Sequence, residues 1–347
     1  MDQASASLRV DTLPKQMQAM SVVDAGKHSQ LSLISCPLPE LQAGQVLIKV
    51  AAAGVNRADL MQRQGLYPAP EGESEILGLE VSGIVVAVAD PQLRHWLGLR
   101  VMALVPGGGY ATFARAHAEH LMPVPEQWSM VQAAGMPEVF LTAYQLLFRL
   151  GQLQPGQRVL LHAGASGVGT AAIQLACRHG AKVAVTASTD EKLAACQALG
   201  AELAIDYKKQ DFVTELKAYW PAGVDLVLDP VAGDYIARNV EALALDGKIV
   251  IYALMGGRQS TLDMAKLFRK RGQLLCSTLR NRTDHYKADL VRDLLAGFGG
   301  AFECSALKPV LHAELNWLKV EQAHQLLASN ATTGKVILTM SEPQPEP

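Results

Sequence analysis

Apolar positions follow two different rhythms along this chain. Up to about residue 130, short β-branched runs are separated by Gly, Pro and Asp: MSVVDA from Met20, LSLISCPL from Leu31, QVLIKVAAAGV from Gln45, LGLEVSGIVVAV from Leu77, RVMALV from Arg100 and ATFARA from Ala111. This spacing predicts a mostly antiparallel, barrel-like β domain. From about Pro137, short apolar strands alternate with helical stretches. The strands fall at 158–163, 182–187, 202–206, 224–229, 248–253 and 273–278, with amphipathic or alanine-rich segments such as GTAAIQLACRHG and DEKLAACQALG between them. Strands joined by helical crossovers predict a doubly wound parallel sheet of the Rossmann type, and an α/β protein overall. After Arg282 come a helix near 285–297, the segment PVLHAEL, a helix VEQAHQLLASN and a strand GKVILTM, which leave the alternation and return to the first domain. The expected organisation is a β-rich domain of 17–138 and 284–347, a Rossmann-type domain of 139–283 and a flexible leader of 1–16. The EPQPEP tail has a disordered composition.

One residue breaks the apolar pattern: Glu80, inside ILGLEVSGIVVAV. A lone carboxylate in a buried strand must be paired, neutralised or coordinating, because an uncompensated buried charge costs several kcal/mol. Pairing with a buried cation or with backbone donors is the expectation.

Composition narrows the picture by exclusion. With 49% hydrophobic and 18% charged residues the chain reads as globular, and a net charge of −2 without a Lys/Arg cluster offers no footprint for nucleic acid or an anionic membrane. No charge-free apolar stretch of about 18 residues appears, and the start of the chain lacks a signal-peptide pattern. Cys36, Cys177, Cys196, Cys276 and Cys304 are scattered with no Cys-x-x-Cys pair. They suit reduced thiols, and hence the cytoplasm, better than disulfides or a structural zinc.

Chemistry concentrates in three places. In VLLHAGASGVGTAAIQLA a strand runs into glycines at 164, 167 and 169 and then a helix. Such a turn lets a pyrophosphate approach backbone N–H groups at a helix N-terminus, although a plain strand-to-helix turn looks the same. The second strand ends in Thr186, Ala187 and Ser188 with Lys192 following. The acid that binds a ribose 2′-hydroxyl in NAD sites is missing there, and a hydroxyl with a cation suits a 2′-phosphate, so NADPH is expected. Ser188 or Thr189 also fits a helix cap, with Glu191 completing a capping box. Tyr207 fits either an adenine contact or core packing. The third place is GVNRADLMQRQGLYP, where Asn56, Arg57, Asp59 and Tyr67 lie in and beside a loop after a strand. Arg57 and Asp59 fit an ion pair or a functional pair, and Tyr67 fits a loop anchor or a functional group.

Together and in this order, NRADLMQRQG, ILGLE, VPGGG, HAGASGVGTAAIQL, DYKKQDF, ALDGK and LMGG resemble the zinc-independent quinone oxidoreductases of the medium-chain dehydrogenase/reductase superfamily, p53-inducible type. The resemblance runs from about Met20 to Met340. It implies a GroES-like catalytic domain and an NADPH-dependent reduction of a quinone or another small electrophilic acceptor. Zinc-bearing members carry a Cys at the Asn56 position, a His at the Leu79 position and a Cys or acid near Pro137–Glu138, so the resemblance implies no metal here. By the same resemblance Asn56 orients the nicotinamide or substrate, Tyr67 hydrogen-bonds the acceptor oxygen, and Ser166 contacts cofactor or substrate. Thr142, Gly167, Val168, Gly169, Ser188, Lys192, Tyr207, Leu254, Met255, Leu279 and Lys335 complete the implied cofactor site. A homodimer through the edge strand QLLCST is implied too. Two other readings stay open: an NADPH-dependent enal or enone reductase, and a non-catalytic NADPH-binding redox sensor or nucleic-acid-binding protein.

Overall fold

A computed structural model describes residues 8–9 and 13–340. The chain forms two compact units, one running up to Glu138 and resuming at Arg280, the other Val139–Leu279.

In the first unit, strands pair in the order Leu311–Asn316, Lys335–Thr339, Gln45–Val55, Glu80–Val88, Arg100–Leu104 and Leu121–Pro123. Phe113–His117 adds to Gln45–Val55, and Leu8–Arg9 pairs with Val88 and Ala87. The pairing is antiparallel except between Leu311–Asn316 and Lys335–Thr339. Gln16–Val23 and Gln30–Pro37 form a separate hairpin sheet. Val46, Ile48, Val85, Val101 and Leu338 are all 0% exposed in the core these strands enclose, each side chain contributing about 1.5–3 kcal/mol by leaving water.

Register decides what meets at one end of this sheet. Ala53 faces Val81, and Val336 faces Val55, so Gly54 falls beside Glu80 and Lys335 beside Asn56. Glycine is needed at 54, since a Cβ there would lie 2.2 Å from Glu80 Oε1 and 2.8 Å from the Ala134 carbonyl.

The second unit holds a parallel sheet in the order Leu203–Asp206, Lys182–Ala187, Arg158–Leu161, Val224–Asp229, Leu243–Ile251, Gln273–Cys276. Its inner strands are apolar on both faces, as helix-covered parallel strands must be: Val159, Leu160, Val183, Val185 and Val227 are 0% exposed. The order reverses between Arg158–Leu161 and Val224–Asp229, the switch point at which such sheets bind ligands beyond their strand C-termini.

The expected strands are present with shifted ends. Leu243–Ile251 starts five residues before the expected Lys248, because the chain passes Asp246 in a left-handed conformation (φ 61°) and continues pairing. The strand expected from Leu77 starts at Glu80, since Leu77 and Gly78 direct their carbonyls to the Tyr110 and Gly109 N–H groups instead. Of the expected leader, Gln16 already begins a strand and Leu13 packs on Ala19 and its neighbours. Most of the remainder, and the EPQPEP tail, lie outside the described residues. Residues 280–283, expected with the cofactor domain, group with the first unit. No helix among the described residues is long and apolar enough to cross a membrane.

Candidate functional site

Glu80 is wholly buried and fully partnered. The Lys335 ammonium lies 2.7 Å from its Oε1, and the Asn56 amide donates to the same oxygen at 2.9 Å. The Glu138 backbone N–H donates to Oε2 at 2.9 Å. Lys335 also donates to Asn56 Oδ1 at 2.6 Å and to the Val55 carbonyl at 2.7 Å. An ammonium has three protons and here meets three oxygens. Lys335, expected among the cofactor contacts, thus holds Asn56 and Glu80 in one geometry.

Glu138 stands next to this cluster at the start of the helix Pro137–Tyr144. Burial, and then the Glu80 charge, push its carboxyl up to about 8, so at neutral pH it holds a proton. Tyr67 is half-buried, with its phenol shifted upward by burial and by Glu138. The Arg280 guanidinium lies 5.6 Å from its ring centroid and donates to the Pro106 carbonyl at 2.9 and 3.1 Å. Tyr67 and Glu138 are therefore two proton-bearing groups in one unit. The role of Glu138 as an acid was missed in the sequence, where nothing marks its surroundings.

A second buried network holds Asn56 from the other side. Asp59 accepts from the Asn56 N–H at 2.8 Å, the Gly78 N–H at 3.1 Å and the Tyr110 hydroxyl at 2.9 Å. Tyr110 Oη lies 3.2 Å from His324 Nε2, and Arg63 lies 3.1 Å from His324 Nδ1. Arginine only donates, which fixes every proton: Nδ1 accepts, Nε2–H donates to Tyr110, and Tyr110 donates to Asp59. Burial raises the Asp59 carboxyl to about 6, while burial and Arg63 lower His324 to about 4. Arg57 takes no part, donating instead to Asn330 Oδ1 at 2.6 Å and the Leu327 carbonyl at 3.1 Å. The two residues thus form neither the ion pair nor the functional pair that their spacing allowed.

These residues do not fit a zinc ion. Leu79 is an aliphatic side chain, 2% exposed, and the oxygens of Asn56 and Glu80 already hold an ammonium. Among the described residues, no cluster of His, Cys, Asp and Glu could hold a metal.

In the second unit, Ser166 caps the helix Gly167–Arg178 by accepting from the Gly169 N–H at 3.0 Å. A Cβ on Gly169 would lie 2.5 Å from the Ala163 and Gly164 carbonyls, so only glycine lets the helix start this close to its strand. Gly167 and Val168 open that helix, where free N–H groups and the dipole favour an anion. Ser188 follows the next strand, and Thr189 rather than Ser188 caps the helix Asp190–Ala198, accepting from the Lys192 N–H at 3.3 Å. Lys192 is half-buried, its ammonium shifted down by burial and by Lys208. Tyr207, 43% exposed, follows the strand Leu203–Asp206. The structure thus gathers Ser166 to Gly169, Ser188, Lys192 and Tyr207 at the C-terminal rim of three adjacent strands. Leu254 and Met255, both exposed, and Leu279, buried, follow strands of the other half-sheet, and Thr142 is buried in the helix Pro137–Tyr144.

The sequence also concealed a buried chain under this rim. Asn239 donates to Asp229 Oδ2 at 2.8 Å, so its Oδ1 accepts from His162 Nε2 at 2.7 Å, and His162 Nδ1 accepts from Thr186 Oγ1 at 3.0 Å. Burial lowers His162, which keeps it neutral in this role. His162→Phe is expected to destabilise this unit by about 1–3 kcal/mol, since Asn239 and Thr186 would each lose a buried partner; urea unfolding reported by Trp220 checks it.

A family model described as a zinc-binding dehydrogenase matches residues 167–296, and one described as an alcohol dehydrogenase GroES-like domain matches residues 42–126. The human synaptic vesicle membrane protein VAT-1 homolog is 31% identical over 95% of this chain and 87% of its own length. The protein of the same name from Danio rerio is 30% identical over 89% of this chain, which spans 66% of that relative. Among solved structures, the quinone oxidoreductase from Thermus thermophilus, determined also in complex with NADPH, superposes with a TM-score of 0.76 at 33% identity, covering 93% of this chain and 100% of that one. The chain is an oxidoreductase-type protein of the medium-chain dehydrogenase/reductase superfamily, to which it belongs by sequence along nearly its whole length and by fold in both units.

Proposed function

We propose that the protein is an NADPH-dependent quinone reductase that works without zinc. The observation that carries this reading is the Lys335 ammonium on Asn56 and Glu80, a fixed cation among side chains whose other donors are proton carriers rather than metal ligands. Such a site suits an acceptor that takes hydride without a Lewis acid, and a quinone does so readily. The coenzyme, when bound, supplies the hydride. Reduction to a hydroquinone also needs one proton, which Tyr67 Oη or the neutral Glu138 carboxyl can give. Asn56, fixed by Glu80, Lys335 and Asp59, orients the reacting groups. Ser166, Gly167, Val168 and Gly169 take the pyrophosphate, with Ser188, Lys192 and Tyr207 around the adenosine 2′-phosphate and Thr142, Leu254, Met255 and Leu279 on the nicotinamide side.

Parallel steady-state assays with NADPH, one on a quinone and one on a 2-alkenal, test the reaction. Quinone turnover is expected. Turnover of the alkenal alone would make the protein an enone reductase, and turnover of neither would leave an NADPH-binding sensor. Coenzyme choice is tested separately: Ser188→Asp is expected to weaken NADPH binding about 10–100-fold in a fluorescence titration, since like charges would then face each other. Equal affinity of the unaltered protein for NADH and NADPH would refute the 2′-phosphate assignment.

We further propose a cytoplasmic homodimer joined along Gln273–Cys276. This strand ends the sheet and leaves Leu274 39% exposed, and pairing with a second copy would cover such an edge. Light scattering on the protein and on Leu274→Lys would show a dimer and a monomer respectively.

A further inference from the structure

Lysine and arginine are buried in native proteins almost only when they are paired, and the first unit breaks that rule twice. Lys287, in the helix Asp284–Glu303, is 7% exposed, yet among the described residues its ammonium makes no hydrogen bond. The nearest carboxylate oxygen, Asp284 Oδ1, is 4.0 Å away on an exposed side chain. The lysine side chain keeps 9% of its surface, so its head is not sealed from solvent. Arg280, also 7% exposed, donates only to backbone carbonyls, those of Pro106 at 2.9 and 3.1 Å and of Tyr67 at 3.5 Å.

Apart from Asp284, the carboxylates whose charges act most on these two cations are engaged elsewhere. Glu73 pairs with Arg115 at 3.0 Å, Asp59 accepts from three other donors, and Glu138 holds its own proton. Burial shifts the Lys287 ammonium down, with Asp284, Glu73 and Glu138 opposing the shift and Arg280 adding to it. Two buried cations thus lack an anion in contact.

Their neighbours say where that anion belongs. The Arg280 guanidinium lies 5.6 Å from the Tyr67 ring centroid, and Arg280 and Lys287 both act on the charge of Glu138. The cations therefore border the two proton carriers. An oxyanion forming on the acceptor is discharged by the proton that Tyr67 or Glu138 gives, whereas these cations are permanent. They call for an anion that the acceptor brings with it.

We infer that the acceptor is a quinone bearing a carboxylate on a side chain, which the Lys287 ammonium binds by a charge-assisted hydrogen bond while Arg280 adds its field. The inference rests on the quinone-reductase reading above and names the substrate class of that site. It makes Lys287 a substrate-binding residue.

Steady-state rates of the full-length protein with NADPH test it on a matched pair: 3-(1,4-benzoquinon-2-yl)propanoate and its methyl ester, whose ethylene tether keeps the charge from altering the quinone ring. The unaltered protein is expected to reduce the acid with a kcat/KM about 10–100-fold above that of the ester, the factor of one charge-assisted hydrogen bond, expressed mostly in KM. Lys287→Met is expected to bring that ratio near one, and Lys287→Arg to retain most of it. Equal kcat/KM for acid and ester in the unaltered protein would overturn the inference without needing any variant. So would a loss in Lys287→Met that falls on acid and ester alike, which would mark a structural lysine or one serving the reacting oxygen. A rise in the KM for NADPH alone would assign the cation to the coenzyme and overturn it too. Turnover of neither quinone by the unaltered protein would instead remove the quinone-reductase reading itself, and the inference with it.

Discussion

Replacing Lys335 by methionine is expected to lower the unfolding free energy of the first unit by about 3–5 kcal/mol, the usual loss when one partner of a buried ion pair is removed. The variant keeps the length of the stem but leaves Glu80, wholly buried, with only the Asn56 amide and the Glu138 N–H as donors. Asn56 Oδ1 and the Val55 carbonyl lose their donor as well. The double variant Glu80→Leu, Lys335→Met removes both charges and is expected to recover much of the loss, although Asn56 then lacks both side-chain partners. Urea unfolding followed by tryptophan emission is the measurement. Trp96, Trp128 and Trp317 report on this unit and Trp220 on the other. A loss below about 1 kcal/mol would put the Lys335–Glu80 pair in the class of weak surface bridges.

Glu138→Gln is expected to have the opposite sign, with an effect that grows as pH rises from about 4.5 to about 8. The Glu138 carboxyl is raised from 4.5 to about 8 by burial and by the neighbouring Glu80 carboxylate. A carboxyl whose folded pKa is raised contributes stability that is complete below its unfolded pKa and is lost as pH climbs through the folded one. The window therefore runs from about pH 4.5 to about pH 8. Glutamine has the same shape and never ionises. At about pH 9 the variant is expected to be more stable than the unaltered protein by on the order of 5 kcal/mol, and near pH 4 the two should coincide. Thermal melts of both proteins at several pH values check it. Curves that stay parallel across that range would show that Glu138 does not hold its proton as the burial implies. Asp59, raised to about 6, acts with the same sign at lower pH in both proteins and so cancels from the difference.

Much of the fold was legible in the sequence because it is written in local patterns. Lys182–Ala187 and Val224–Asp229 begin and end where their apolar runs do, and the glycine turn opens its helix at the expected place. The architecture that the motifs implied, a GroES-like domain and a Rossmann sheet, is the architecture present. The site was legible only in part. That Glu80 needed a partner followed from its neighbours alone, but the partner lies on a strand that pairs through Gln45–Val55 from the far end of the chain. No periodicity links residues so distant. Glu138 looked like an ordinary first-turn acid, since only three-dimensional burial distinguishes a solvated carboxylate from a protonated one. Arg57 and Asp59 are near neighbours that point to different partners, because side chains two residues apart point about 200° apart around a helix.

The same returning strand imposes an order of events on synthesis. Residues 45–88 leave the ribosome carrying a carboxylate destined for the interior, while the lysine that compensates it, Lys335, follows long after Glu80 in the chain. The unit Val139–Leu279 is contiguous and contains all its own sheet partners, so it can fold while the chain is still growing. The first unit cannot close until Lys335–Thr339 emerges and pairs with Gln45–Val55. A nascent chain stalled before residue 335 is thus left with a complete Val139–Leu279 unit and with one edge of Gln45–Val55 lacking its partner strand, the kind of edge that other chains can pair with.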